Sequence, residues 1–133
     1  MAMPFSAASE GADDWIDSWA ASVSARAQAA QELSERVSML SVSASGRDGA
    51  VRVTVAGSGV MTDLRLDDRV LRWPASEIAA QVMSVMRRAQ ASLASRVAEI
   101  ADETVGADSE TGRAVVDGFV RRFPEPRDDE ERR

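Results

Sequence analysis

Residues 48–68 read DGAVRVTVAGSGVMTDLRLDD. Val51, Val53 and Val55 alternate with Arg52 and Thr54, while Val60, Thr62, Leu64 and Leu66 alternate with Met61, Asp63 and Arg65. Period two marks strands with one buried face. Asp48-Gly49 is a strong two-residue hairpin signal, because both turn positions need positive φ. Ser58-Gly59 is a weaker one. Together with the preceding SVSASGR, the stretch predicts three antiparallel strands over 41–47, 50–57 and 60–66. Register tests this reading. Loops at 48–49 and 58–59 set Ala44 opposite Val53, Val42 opposite Val55, Val53 opposite Leu64 and Val51 opposite Leu66. All of these lie on the apolar face, and a slip of one residue would turn them to water. The same register sets Arg52 opposite Arg65 on the polar face. Like charges so placed repel unless an anion or acid neutralises them. Asp63, diagonal to Arg52, is the nearest candidate.

Working outward, a helix is predicted from Asp13 to Leu40, with Asp13, Asp14 and Asp17 in its opening turns, where the helix dipole favours acids. Its seam is Ile16, Trp19, Val23, Arg26, Ala30, Leu33, Val37 and Leu40, a coiled-coil-like stripe broken by one charge. A seam of about 25 residues spans roughly 37 Å. Three short strands cannot cover that length; another helix must, from this chain or from a second copy. Arg26 either marks the point where the helix leaves the core as a free arm or snorkels beside Ala27, and the second is the plainer reading.

Beyond the strands, residues 67–73 form a connector in which Trp73 plugs the sheet-to-helix corner. Pro74 suits the first turn of a second helix running to Val105. Its stripe is Ile78, Val82, Val85 with Met86, Ala89, Leu93, Val97 and Ile100. Gly106 is a stop signal. Asp108 is expected to cap a third helix ending at Phe123, with Val115, Val116, Phe119, Val120 and Phe123 as its face. The expected organisation is a flexible lead (residues 1–12), one α+β domain (13–123) and a disordered acidic tail (124–133), PEPRDDEERR, which lacks apolar anchors.

Composition narrows the chemistry. The 133 residues include no His, Cys, Tyr or Lys, and all sixteen basic residues are Arg. A histidine base, a thiol nucleophile, a Schiff-base lysine and a tyrosine acid are all excluded. So is a zinc site built from Cys and His within one chain. The expectation is no enzyme, no cofactor and no metal. The opening residues lack the build of a signal peptide, and no run approaches the roughly 18 apolar residues of a membrane span. A cytoplasmic protein with no membrane partner is expected. The net charge is −6, which disfavours nucleic acid. The negative charge sits mainly in residues 1–40 (−4) and 124–133 (−2), whereas residues 41–72 carry +1.

The order helix, three-strand meander, long helix accompanies the residues Gly49, Val51, Arg52, Val53, Thr54, Val55, Gly57, Gly59, Leu64, Leu66 and Asp67. In this the chain resembles the YbaB/EbfC family of nucleoid-associated proteins over roughly residues 30–105. The downstream Arg87, Arg88, Ala89 and the segment ADETVGADSETG are similar to its longer actinobacterial branch. The resemblance implies a small homodimer with helical arms projecting from a central sheet like tweezers. It implies DNA binding with little sequence preference and no cofactor. The lack of Lys and the acidic first helix depart from that pattern.

On this basis the candidate DNA-binding residues are Arg26, Arg36, Arg87, Arg88, Arg96, Arg113, Arg121 and Arg122, since a guanidinium can hold phosphate oxygens bidentately. The bland alternative is surface ion pairing with neighbouring acids, worth about 0–1 kcal/mol each. The candidate dimer or core residues are Trp19, Val23, Leu33, Val37, Leu40, Val51, Val53, Val55, Leu64, Leu66, Ile78, Val82, Met86 and Leu93. Trp15, Trp19 and Trp73 could stack on bases, but Trp19 fits the apolar seam, Trp73 fits the sheet-to-helix corner and Trp15 stands among acids. Asp67-Asp68 and Asp102-Glu103 suit caps and loops better than a metal site, with no EF-hand spacing present. The rival function is an acidic dimer that binds or chaperones another protein through its helical arms.

Overall fold

The computed structural model describes residues 3–126, with side chains from Gly11 onward. The elements are α1 (Met3–Ser38), β1 (Ser41–Gly46), β2 (Val51–Ala56), β3 (Met61–Leu66), a 3-10 turn (Asp68–Arg72), α2 (Ala75–Glu103) and α3 (Glu110–Arg122). The fold is α+β, with one antiparallel sheet in the order β1-β2-β3.

The predicted register is the observed one across most of the sheet. Ala44 pairs with Val53, Val42 with Val55, Val53 with Leu64, Val51 with Leu66 and Arg52 with Arg65. The first hairpin closes through Asp48 (φ 56) and Gly49 (φ 84), the left-handed pair of a type I′ turn. The second hairpin differs from expectation. Gly59 donates to the Ala56 carbonyl at 2.8 Å and Ala56 to that of Val60 at 2.9 Å, so the loop is 57–59 rather than 58–59. Gly59 sits at φ 89, the left-handed position that a three-residue hairpin loop requires. The extra residue is taken up further along. Thr54 pairs with Asp63 but Val55 with Met61, which leaves Thr62 as a bulge. Met61 therefore packs against the core in place of Val60, which is exposed.

α2 lies across β1 and β2 on the apolar face. Val51, Val53, Val55, Val85, Ala89, Leu93 and Val97 are all at 0 % exposure there. Each of these larger side chains contributes about 1.5–3 kcal/mol by leaving water. Ile78, Val82 and Met86 are half-buried at the margin of this core. β3 lies at the sheet edge. Leu64 and Leu66 point to the expected face, but the chain leaves them 41 % and 44 % exposed. α2 packs on β1 and β2, and among the described residues no helix lies over Leu64 and Leu66, so these two dimer-or-core candidates stand outside the core of one chain.

α3 folds back on α2 and buries Phe119, with Phe123 packed over Gly59. Ser109, rather than Asp108, caps it, accepting from Gly112 N–H at 3.0 Å. Gly106 (φ 93) ends the turn out of α2, donating to Ala101 at 2.7 Å. Pro74 stands as the N-cap of α2, one position ahead of its expected place. Trp73 is half-buried at the corner, with the Arg47 guanidinium 5.0 Å from its ring centre.

α1 divides in two. Its root, with Leu33 buried and Val37 and Leu40 half-buried, packs on Ile100 and Ala101 of α2. Gly57 makes this docking possible, since a Cβ there would stand 2.0 Å from the Val37 carbonyl oxygen. Residues 11–28 are exposed throughout. Trp19 (58 %) and Val23 (42 %) therefore do not belong to the core of a single chain. The stretch expected as a flexible lead is helical from Met3. Pro4 falls in the first turn, where proline is tolerated, and Gly11 alone costs the helix only about 1 kcal/mol. Residues 1–2 and 127–133, the latter most of the expected tail, lie outside the described residues.

Candidate nucleic-acid interface

The eight candidate arginines fall into three groups. The first is held by carboxylates. Arg36 of α1 bonds Glu103 of α2 at 2.5 Å, with Glu32 at 4.0 Å, and so ties the root of α1 to α2. Arg96 pairs with Glu99 at 3.2 Å and Arg113 with Asp108 at 3.8 Å. These pairs are exposed, each worth about 0–1 kcal/mol, so exchanging a carboxylate for a phosphate costs little.

The second group is held by neutral groups. Arg88 donates to the Ser45 carbonyl at 2.7 Å, a link from α2 to the edge strand β1. Arg122 donates to the Gly118 carbonyl at 3.3 Å and lies over two rings, 4.6 Å from the centre of Phe119 and 5.5 Å from that of Phe123. Stacking fixes the guanidinium plane while leaving its N–H edge available to an anion.

The third group forms no ion pair among the described residues: Arg26, Arg87 and Arg121. Arg26 lies on the exposed part of α1 and lines a groove of about 370 Å³ with Ala29, Val105 and Thr111. Burial begins at Ala29, so Arg26 stands just outside the packed root of the helix, beside the α2–α3 connection.

Two candidates from different elements meet. Arg87 of α2 and Arg122 of α3 line one cleft of about 640 Å³, together with Gln90, Phe123, Pro124, Glu125 and Pro126. Gln90 is fixed by donating to the Gly59 carbonyl at 2.9 Å, so the cleft is built on the β2–β3 loop. The structure does not gather the other candidates here. Arg26 faces a separate groove, while Arg36, Arg96 and Arg113 sit beside their own acids.

Arg52 was not among the candidates. Asp63 bonds Arg65 along its own strand at 3.0 Å instead of reaching across to Arg52. Arg52 is therefore exposed and without an ion pair among the described residues, beside a second guanidinium on the open polar face of the sheet. The like-charge opposition was the available signal; its assumed neutraliser was the error.

One member of each acidic pair has a structural role. Asp67 caps the 3-10 turn, accepting from the Arg69 backbone N–H at 2.9 Å and its Nε at 3.1 Å. The backbone hydrogen bond, followed by that from the guanidinium, holds its carboxyl below the usual 3.8. Glu103 is the partner of Arg36. Among the described residues no helix is long and apolar enough to cross a membrane.

The profile of the YbaB/EbfC DNA-binding family matches residues 16–108. The match takes in α1 from Ile16, the sheet and α2, and it stops before α3. Arg26, Arg36, Arg87, Arg88 and Arg96 lie within it; Arg113, Arg121 and Arg122 lie beyond. No curated protein and no solved structure matches the chain significantly.

Proposed function

The chain belongs to the YbaB/EbfC DNA-binding family, and on that premise we propose that it is a nucleoid-associated homodimer of the cytoplasm. It binds duplex DNA without sequence preference through Arg–phosphate contacts. The observation that carries this reading is the convergence of Arg87 and Arg122 on one cleft, with Arg121 exposed on the same helix end. Phosphate contacts of this kind are sequence-blind and draw their free energy from counterion release. A duplex lying on two copies would meet twice as many guanidinium groups.

The homodimer is supported by apolar surface that one chain leaves open. Trp15, Ile16, Trp19 and Val23 on α1 and Leu64 and Leu66 on β3 are all exposed. A second copy would also offer β3 a partner for its free edge. The acidic, aromatic arm and the net charge of −6 favour a protein partner instead, the rival function.

Anisotropy titrations of an arbitrary duplex at 50 and 200 mM salt separate the two. About four phosphate contacts predict an affinity loss on the order of 100-fold between these salts. Arg87→Ala should weaken binding to every sequence alike. Absence of binding at the lower salt would transfer the function to a protein partner.

A further inference from the structure

We propose that the acidic segment beginning at Pro124 occupies the Arg87–Arg122 cleft as a stand-in for phosphate and so restrains DNA binding; this rests on the DNA reading above. The described chain ends at the cleft: Pro124, Glu125 and Pro126 line it together with Arg87 and Arg122, and Glu125 forms no ion pair there among the described residues, which leaves both guanidinium groups open to a carboxylate. Glu125 is the carboxylate of that lining, and a guanidinium fork accepts carboxylate and phosphate oxygens by the same geometry. Two prolines flank Glu125 and hold the backbone extended, so laying it down sacrifices little conformational entropy.

The charge order continues the theme. Asp128, Asp129, Glu130 and Glu131 follow within five residues of Pro126. Seven extended residues reach at most about 24 Å, more than the roughly 14 Å of helix between Arg87 and Arg96. The segment is therefore long enough to shield the Arg side chains beside the cleft as well as those within it.

Two full-length variants with equal charge change test the proposal. One carries Glu125→Gln, Asp128→Asn and Asp129→Asn; the other carries Asp13→Asn, Asp14→Asn and Asp17→Asn on α1. With an arbitrary duplex at 50 mM salt, the first should bind about tenfold more tightly than the parent and show a steeper salt slope, since more phosphates are engaged. The second should change affinity less than about twofold. Equal gains in both variants would overturn the proposal in favour of net charge. No gain in the first, with the parent binding DNA, would overturn it and leave the DNA reading standing. Failure of all three proteins to bind would remove both.

A second measurement is independent of affinity. The chain has no cysteine, so Arg133→Cys takes a single nitroxide label. Broadening of the Arg87 and Gln90 amide resonances, relieved by adding duplex, is the expected result. Absence of broadening in the DNA-free protein would overturn the proposal.

Discussion

The body of the protein and the outer part of α1 are built from apolar stripes of similar quality, with opposite outcomes. In the body, the valines of β2 meet Val85, Ala89, Leu93 and Val97 of α2, and all are fully buried. On α1, the Ile16–Trp19–Val23 stripe has the same helical spacing yet stays in water. The boundary is Ala29, beyond which Leu33 finds Ile100 and Ala101. An amphipathic pattern states that a face needs covering; only the folded chain shows whether its own elements are long enough to do it. The body closes its core over β1 and β2 and leaves only the β3 edge open, whereas the arm leaves its whole apolar face in water.

The largest effect is expected where that contrast is sharpest. Val53→Asp places a carboxylate at the fully buried centre of the sheet and should cost more than about 4 kcal/mol, giving insoluble protein. A soluble, cooperatively melting variant would show that the body is not closed as described. Next is the junction. Gly57→Ala drives a methyl group into the Val37 carbonyl and should cost about 3 kcal/mol in denaturant unfolding, with the root of α1 loosened. Unchanged stability would mean that the root is not docked there.

On the arm the effect should move from stability to association. Trp19→Ala should weaken self-association by about 2 kcal/mol, roughly 30-fold, as measured by sedimentation equilibrium. Loss of far-ultraviolet helical signal at every concentration would instead place Trp19 inside the fold of one chain. Back in the body, Ser109→Ala removes the α3 cap and should lower stability by about 1 kcal/mol. Asp108→Ala, which spares the cap, should cost less.

The smallest effect is a pH dependence. The Asp67 carboxyl lies below 3.8 in the fold, so the charged form stabilises the folded state. That contribution is present above the unfolded carboxylate range and fades as pH falls through the lowered folded value. The melting temperatures of the parent and Asp67→Asn should converge as acid is added below about pH 4. A gap that widens in acid would reverse the sign.

The sheet was legible because its information is local. Asp48-Gly49 dictates the first turn, and alternation then dictates the pairing as far as Arg52 opposite Arg65. The second hairpin was not, because Gly59 permits two loop lengths and the Thr62 bulge restores the register that would have distinguished them. Ser109 and Asp108 are adjacent residues of equal capping preference, so only the path of the chain separates them. The candidate site was legible as a set of arginines. Its geometry was not: that Arg87 and Arg122 share a cleft depends on how α3 returns along α2, and spacing within either helix is silent on this. Arg52 shows the converse, a correct juxtaposition with the wrong ion-pair partner.

The most direct test of the central claim, that the exposed stripe of α1 is completed by a second copy, is the mass in solution by light scattering across a dilution series. The expected result at micromolar concentration is a species of twice the 14.3 kDa chain mass, falling toward the single-chain value in Trp19→Ala. A parent protein that remains at the single-chain mass at every concentration, with its helical signal intact, would contradict it.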